Sequence, residues 1–247
     1  RLAKRIFCVT PRIRDRLAER YPSQAKKAEV LTVSVDTDLF HATPFDLSSG
    51  KLKLVYAGRL DEFKDPALMF RVARRLHEAL NGQFEFHFCG SADPHRFPEF
   101  AAIEAYTVRH GALLPEGVAA VMRQVHMGIL VSHWEGMPCF LLELLASGRP
   151  FGGLRLPQFD QVIAEGVNGR MVERGATVEE SEAVVAGAIL QQWADIRAGK
   201  VDPQKVHEKI VPWSVDNQLT RLFTALREIA RPGKPPPAPA RVAAPAE

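Results

Sequence analysis

Two stretches of this 247-residue chain hold residue types that could do chemistry. The first is Gly58-Arg59-Leu60-Asp61-Glu62-Phe63-Lys64-Asp65-Pro66. Arg59 and Lys64 lie between an apolar run read as a strand and a helix that Asp65-Pro66 opens. Two cations beside the positive end of a helix dipole favour a dianionic ligand such as a diphosphate. Arg offers a planar fork and Lys a mobile point charge, complementary ways of holding phosphate oxygens. The plain alternative is a solvated loop with ordinary surface charge. The second stretch is Ser132-His133-Trp134-Glu135-Gly136-Met137-Pro138-Cys139-Phe140-Leu141-Leu142-Glu143. Here a strand ends, a Gly-Met-Pro turn follows, and Pro138 at the first helical position leaves free amides for an anion or a sugar hydroxyl. Glu143, flanked by leucines in the second turn, is costly to bury unless it accepts hydrogen bonds, and the vicinal hydroxyls of a ribose would supply them. Its alternative is the polar face of an amphipathic helix.

Other candidates carry less. Gly152-Gly153 permits close backbone approach and could line a ligand cleft, whereas Asn168-Gly169 reads as a turn feeding a strand. His87, inside a strand, reads as a core residue, and His133 is set beside Glu135 without a clear task. No His, Cys or carboxylate group has metal-ligand spacing, and no Ser-His-Asp order is evident.

These residues need a frame to hold them. Leu52 to Ala57, Phe84 to Phe88, Tyr106 to His110, Gly128 to Ser132 and Asn168 to Val172 read as strands. Helices fit between or after them at 66–80, 116–124, 138–146 and 177–197, the first on the spacing of Leu68, Met69, Val72, Leu76 and Leu80. This alternation predicts an α/β fold, a Rossmann-like parallel sheet flanked by helices, with ligands at the carboxyl ends of strands. Those ends are Gly58-Arg59, Gly90-Ser91, Gly111 and Ser132 to Gly136. Ahead of this frame, a strand at 5–10, a helix at 12–20 behind Thr10-Pro11 and a run at 29–35 make a piece too small for a domain. A last helix is read at 214–229, and the Pro- and Ala-rich residues 231–247 read as a flexible tail. With 32 Lys and Arg against 29 Asp and Glu, net charge +3, the chain has no electrostatic footprint for nucleic acid. Three cysteines, Cys8, Cys89 and Cys139, give no disulfide framework, and no apolar run is long enough for a membrane span.

Taken in order, Val35-Asp36-Thr37-Asp38-Leu39-Phe40, Gly58-Arg59-Leu60 with Lys64, and Glu135-Gly136-Met137-Pro138 running to Glu143 resemble the retaining nucleotide-sugar glycosyltransferases of family 4, which have the GT-B fold. Gly148-Arg149-Pro150, Glu165-Gly166-Val167-Asn168-Gly169 and Pro212-Trp213 continue the resemblance, over residues 5–229. It implies two Rossmann-like domains facing a cleft, the C-terminal one binding the donor and the N-terminal one the acceptor. On that reading residues 1–34 are a remnant of the acceptor domain and linker, 35–211 the nucleotide-sugar-binding domain, 212–230 a C-terminal helix and 231–247 the tail. The start at Arg1, without Met, fits a chain that is the C-terminal half.

Carried over by resemblance, Arg59 and Lys64 hold the donor diphosphate and Glu135 contacts the transferred sugar, which makes these three the catalytic set. Gly136, Met137, Pro138, Cys139 and Phe140 lie near sugar and phosphate, Glu143 takes the ribose, and Gly90 and Gly111 border the base. The donor would be a UDP- or GDP-linked sugar, with no cofactor and no metal. The acceptor would be a glycan or a lipid-linked glycan, reached through an N-terminal domain. The implied activity is transfer with retention in glycan or envelope polysaccharide synthesis. It would take place in the cytoplasm or, if the arginine-rich helix at 12–20 is more than a solvated face, at the inner face of the membrane. Two departures stand out: Val33-Ser34 where the family usually has Asn-Gly, and Gln158 where it tends to Pro-Glu. A non-catalytic nucleotide-sugar-binding module and a related GT-B epimerase or phosphorylase remain the alternatives.

Overall fold

The computed structural model describes residues 3–230, so the expected tail at 231–247 lies outside the described residues. The chain opens with β1 (Ile6–Cys8), α1 (Pro11–Arg20) and β2 (Ala28–Val30), and the two strands pair in parallel as a small sheet of their own. Thr10 caps α1 by accepting from the Ile13 amide, with Pro11 in the first turn, as the Thr-Pro pair predicts. The run expected as a strand to residue 35 leaves the sheet after Val30. Val35 is instead buried and bridges to Ser214.

The main body is a six-stranded sheet, every neighbouring pair parallel. Its strands are β3 (Leu52–Ala57), β4 (Phe84–Cys89), β5 (Thr107–Gly111), β6 (Met127–Leu130), β7 (Phe151–Leu154) and β8 (Gly169–Val172), in spatial order β5-β4-β3-β6-β7-β8. Counted within this sheet, the third strand lies at one edge, the first in the middle and the last at the other edge. That is the doubly wound order whose switch point, between β3 and β6, opens a crevice at the strands' carboxyl ends.

Helices α2 (Pro66–Ala79), α3 (Pro115–Met122), α4 (Cys139–Ala146) and α5 (Val178–Arg197) follow strands of the sheet, and three short 3-10 turns take the place of a helix between β4 and β5. In α2 the apolar spacing buries Leu68, Met69, Val72 and Leu76, as expected. Phe70 joins them, packed edge-on to Phe86 and against Phe97 and Phe100 of the turn region. After α6 (Pro203–Glu208), α7 (Val215–Ala230) returns to the first small sheet. There Arg221 donates to the Val30 carbonyl at 2.8 Å and Glu228 accepts from Arg5 at 2.6 Å.

One strand escaped the sequence reading. Phe151–Leu154 is β7, buried throughout, so Gly152 and Gly153 do not line a ligand cleft. A Cβ on Gly153 would overlap the Leu130 carbonyl oxygen of β6, and one on Gly152 would press on Ile189 of α5. These two glycines let the sheet and α5 close up. Among the described residues no helix is long and apolar enough to cross a membrane.

Candidate functional site

The two chemically suggestive stretches leave the carboxyl ends of β3 and β6, the two strands that flank the switch point. Lys64 Nζ donates to both oxygens of Glu135, at 2.6 and 2.7 Å. The side chains are 18% and 6% exposed, so the pair is largely withdrawn from water. Ser132 Oγ donates to Glu135 Oε1 at 2.7 Å, and Gln158 Nε2 donates to the Glu135 carbonyl at 2.7 Å. Gln158, in the turn between β7 and β8, thus ties the backbone of the loop that carries Glu135. With its side chain tied at both oxygens and its backbone held, Glu135 has little freedom. A charge pair this dry is costly to break one-sidedly, because the survivor stays buried without a counter-ion.

Arg59 behaves differently. Its side chain is 85% exposed and its ion pair is a loose one to Asp61, 3.3 Å away. Its backbone is held instead, because Tyr56 OH donates to the Arg59 carbonyl at 2.6 Å. Burial pushes the Tyr56 phenol well above its ordinary pKa, with Glu135 adding to the effect, so it remains a proton donor. Arg59 is therefore a mobile cation on a fixed stem beside the Lys64–Glu135 pair.

After Glu135 the chain turns into α4. Pro138 is the N-cap, not the first helical residue as expected from sequence, and it supplies no side-chain cap. Thr10, Asp65, Thr177 and Asp202 cap α1, α2, α5 and α6 with side-chain oxygens, whereas α3, like α4, has no side-chain cap. The amides at the start of α4 are thus left without a side-chain acceptor, and Pro138 itself has no N–H to give. Met137 and Phe140 turn their side chains into the core, Phe140 edge-on to Tyr56 at 5.7 Å, so only their backbones face the site. Gly136 is half-buried; Cys139 is exposed as a residue, but partial desolvation of its thiol, with nearby Glu143, raises its pKa. Glu143 in the second turn is half-buried, its pKa raised by desolvation, and no side chain among the described residues hydrogen-bonds its carboxylate. It is an acceptor without a donor.

A separate cleft of about 580 Å³ opens beyond β4 and β5, lined by Phe88, Gly90, Ser91, Arg109, His110 and Gly111 among others. The Gly90 amide donates to the Gly111 carbonyl at 2.8 Å, which joins the two expected glycines across the floor of the cleft. A Cβ on Gly90 would overlap the Gly58 carbonyl oxygen and the Phe88 ring, so the end of β4 can lie against the end of β3 only with glycine there. Beneath, His87 is buried and stacked on His110 with ring nitrogens 3.1 Å apart. Burial and the neighbouring imidazole hold His87 near a pKa of about 4, so it is neutral at physiological pH.

Sequence reasoning missed the tasks of Arg149 and Arg174 and the second contact of Asp65, whose place as the cap of α2 it did foresee. Arg149, part of a Gly-Arg-Pro motif, is fully buried. It donates to the Met122, Thr43, Pro44 and Arg123 carbonyls and to Thr43 Oγ1, and its guanidinium lies over the Phe45 ring at 4.9 Å. Asp65 adopts a left-handed backbone, φ 50°, while capping α2. Arg174, after β8, donates to Asp65 Oδ2 at 2.8 Å and to the Val131 carbonyl at 2.7 Å. His133 Nε2 also reaches Asp65 Oδ2 at 3.2 Å, and its amide donates to the Phe63 carbonyl at 2.8 Å. Nothing in the sequence around Arg174 signals this, because its partners lie in two other loops. Among the described residues no three His, Cys, Asp or Glu side chains gather as metal ligands.

No curated protein matches the chain. Solved structures do, over nearly all of it. The pneumococcal O-GlcNAc transferase GtfA, in complex with UDP and GlcNAc, superposes with a TM-score of 0.70 at 18% identity, over 93% of this chain and 46% of that one. Sucrose-phosphate synthase from Thermosynechococcus elongatus gives 0.73 at 17% identity, over 92% and 59%. Anabaena HepE, in complex with UDP and glucose, gives 0.71 at 13% identity, over 92% and 64%. The chain thus spans 46% to 64% of the length of these structures, which share with it the GT-B type of fold. The family described as Glycosyl transferases group 1 matches residues 51–192, from the start of β3 into α5. That is more than half of the 247 residues. The chain belongs to the glycosyl transferases group 1 family.

Proposed function

We propose that this chain is the donor-binding half of a retaining glycosyltransferase, which moves a sugar from a nucleoside diphosphate to an acceptor hydroxyl in glycan or envelope polysaccharide synthesis. The observation that carries the reading is the Lys64–Glu135 pair at the switch point, with Lys64 Nζ within 2.7 Å of both carboxylate oxygens. It supports the reading because a cation suited to phosphate and a carboxylate suited to sugar hydroxyls stand side by side, and the start of α4 has no side-chain cap. The cleft at Gly90 and Gly111 suits the base, and the unpartnered Glu143 suits the ribose hydroxyls. Two of the similar structures hold UDP with a sugar, which supports a UDP- or GDP-linked donor here.

On this reading the donor draws Lys64 from Glu135 to its phosphate, and Glu135 is left to orient the sugar. The bond between the sugar's anomeric carbon and the diphosphate oxygen breaks, its electron pair staying with the phosphate. Arg59, Lys64 and the α4 amides stabilise the departing charge, without a metal. The acceptor hydroxyl bonds to the anomeric carbon from the same face and passes its proton to the leaving phosphate. The acceptor, a glycan or lipid-linked glycan, is held by an N-terminal domain. The test is transfer by the complete enzyme carrying Arg59→Ala or Glu135→Ala. Each substitution is expected to lower the transfer rate by about 100-fold or more; unchanged rates would refute the assignment.

A further inference from the structure

We propose that Arg174 is a positioning residue that holds Lys64 in place for the diphosphate, an inference that rests on the donor-site reading above. The guanidinium spans two loops. One nitrogen donates to Asp65 Oδ2 at 2.8 Å, and another donates to the Val131 carbonyl at 2.7 Å. Asp65 directly follows Lys64, and Val131 directly precedes Ser132, whose hydroxyl holds Glu135. Arg174 therefore reaches Lys64 through the adjoining Asp65 and Glu135 through Val131 and the adjoining Ser132, and touches neither.

The backbone at Asp65 shows why such a clamp is needed. With φ 50° and ψ 60°, Asp65 occupies the left-handed region, which an L-residue with a Cβ adopts at a cost. That turn separates Lys64, whose ammonium pairs with Glu135, from the start of α2 at Pro66. Asp65 Oδ1 caps the Leu68 amide at 3.3 Å, leaving Oδ2 to take Arg174 and, at 3.2 Å, His133. An aspartate with both oxygens engaged cannot relax to an extended conformation without giving up the cap and the ion pair together. The second arm, on Val131, fixes how far this turn stands from the loop that carries Glu135. Arg is suited to the task because its fork holds two acceptors in one plane, which Lys cannot do.

The role differs from general loop stabilisation in what it couples. If Arg174 acts through Lys64, removing it must weaken the binding of diphosphate in particular, and must do nothing further once Lys64 is gone. The experiment is calorimetry of the full chain with UDP, GDP and ADP and with the matching nucleoside monophosphates, on wild type, Arg174→Met, Lys64→Ala and the double variant. For the nucleotide that binds, Arg174→Met is expected to weaken the diphosphate by about tenfold. It is expected to leave the ratio of monophosphate affinities close to one, and to add nothing in the Lys64→Ala background. Asp65→Asn keeps the cap and tolerates the left-handed turn while losing the charge that Arg174 pairs with, so it should reproduce the effect at an unchanged melting temperature. This second variant decides the matter if Arg174→Met folds poorly. Equal diphosphate affinity in Asp65→Asn and wild type, or fully additive losses in the double variant, overturns the assignment while leaving the donor-site reading intact. Failure of wild type to bind any of the diphosphates overturns both.

Discussion

Arg149 is a full charge enclosed by protein, with carbonyls and one hydroxyl for partners and no carboxylate. Desolvation draws its pKa down to about 10, still far above neutrality, so it stays charged, and each of its three guanidinium nitrogens finds an acceptor. It ties the Thr43–Phe45 segment, which precedes the sheet, to the turn after α3. Arg149→Met fills similar space but strands several buried carbonyls. It should cost on the order of 2–4 kcal/mol in the denaturation midpoint and leave the Lys64–Glu135 pair untouched. A loss below about 1 kcal/mol would mean that water replaces the guanidinium. The residue also shows where sequence reading stops. Gly148-Arg149-Pro150 was visible as a motif, but an arginine's sequence neighbours do not tell whether it meets a phosphate or the protein's own carbonyls. Lys64 and Glu135 were legible because each sits at a strand-to-helix turn, where composition and position agree. Arg174 was not, nor was its hold on Asp65, because that contact joins loops far apart in the chain; that Asp65 opens α2 was legible.

At the level of elements, strands and helices with apolar periodicity were readable to within a few residues, α2 and β3 most clearly. β7 was not, because Phe151-Gly152-Gly153-Leu154 lacks the β-branched bulk that marks a strand. Its glycines serve contact with β6 and α5, a tertiary demand that leaves a composition resembling a loop. Gly153→Ala should therefore cost about 2–3 kcal/mol, since neither the Leu130 carbonyl nor the strand pairing can yield. Gly187, inside α5, is the control: an added Cβ there meets nothing within 4 Å. Gly187→Ala should be neutral or stabilise by up to about 1 kcal/mol through helix propensity. Equal effects of the two substitutions in urea denaturation would contradict this account of β7. The same comparison separates packing glycines from those, like Gly90, whose bareness keeps two strand ends together beside a cleft.

For the whole molecule, buried histidines make stability depend on acid. His87 falls to a pKa of about 4, and His110 and His126 are also lowered, desolvation being the first cause in each. A histidine kept neutral in the fold but free to charge when unfolded gives the unfolded state more protons, so stability falls as pH drops below about 6.5. His95, raised by its bonds to Asp93 and Glu104, acts in the opposite sense, but on the exposed surface. His87 alone should account for about 2 kcal/mol lost between pH 7 and pH 5. Thermal melts of His87→Leu should show a smaller drop over that interval than wild type, and parallel drops would argue against it. A nucleoside diphosphate sugar is proposed to bind at the β3–β6 switch point through Lys64. The direct measurement is the melting temperature of the full chain with a panel of UDP-, GDP- and ADP-sugars, for wild type and Lys64→Ala. A donor held at a hundred times its dissociation constant stabilises by about 2.7 kcal/mol, so one donor class should raise the wild-type melting temperature by several degrees and the variant's by far less. No shift with any donor, or an equal shift in both proteins, would contradict it.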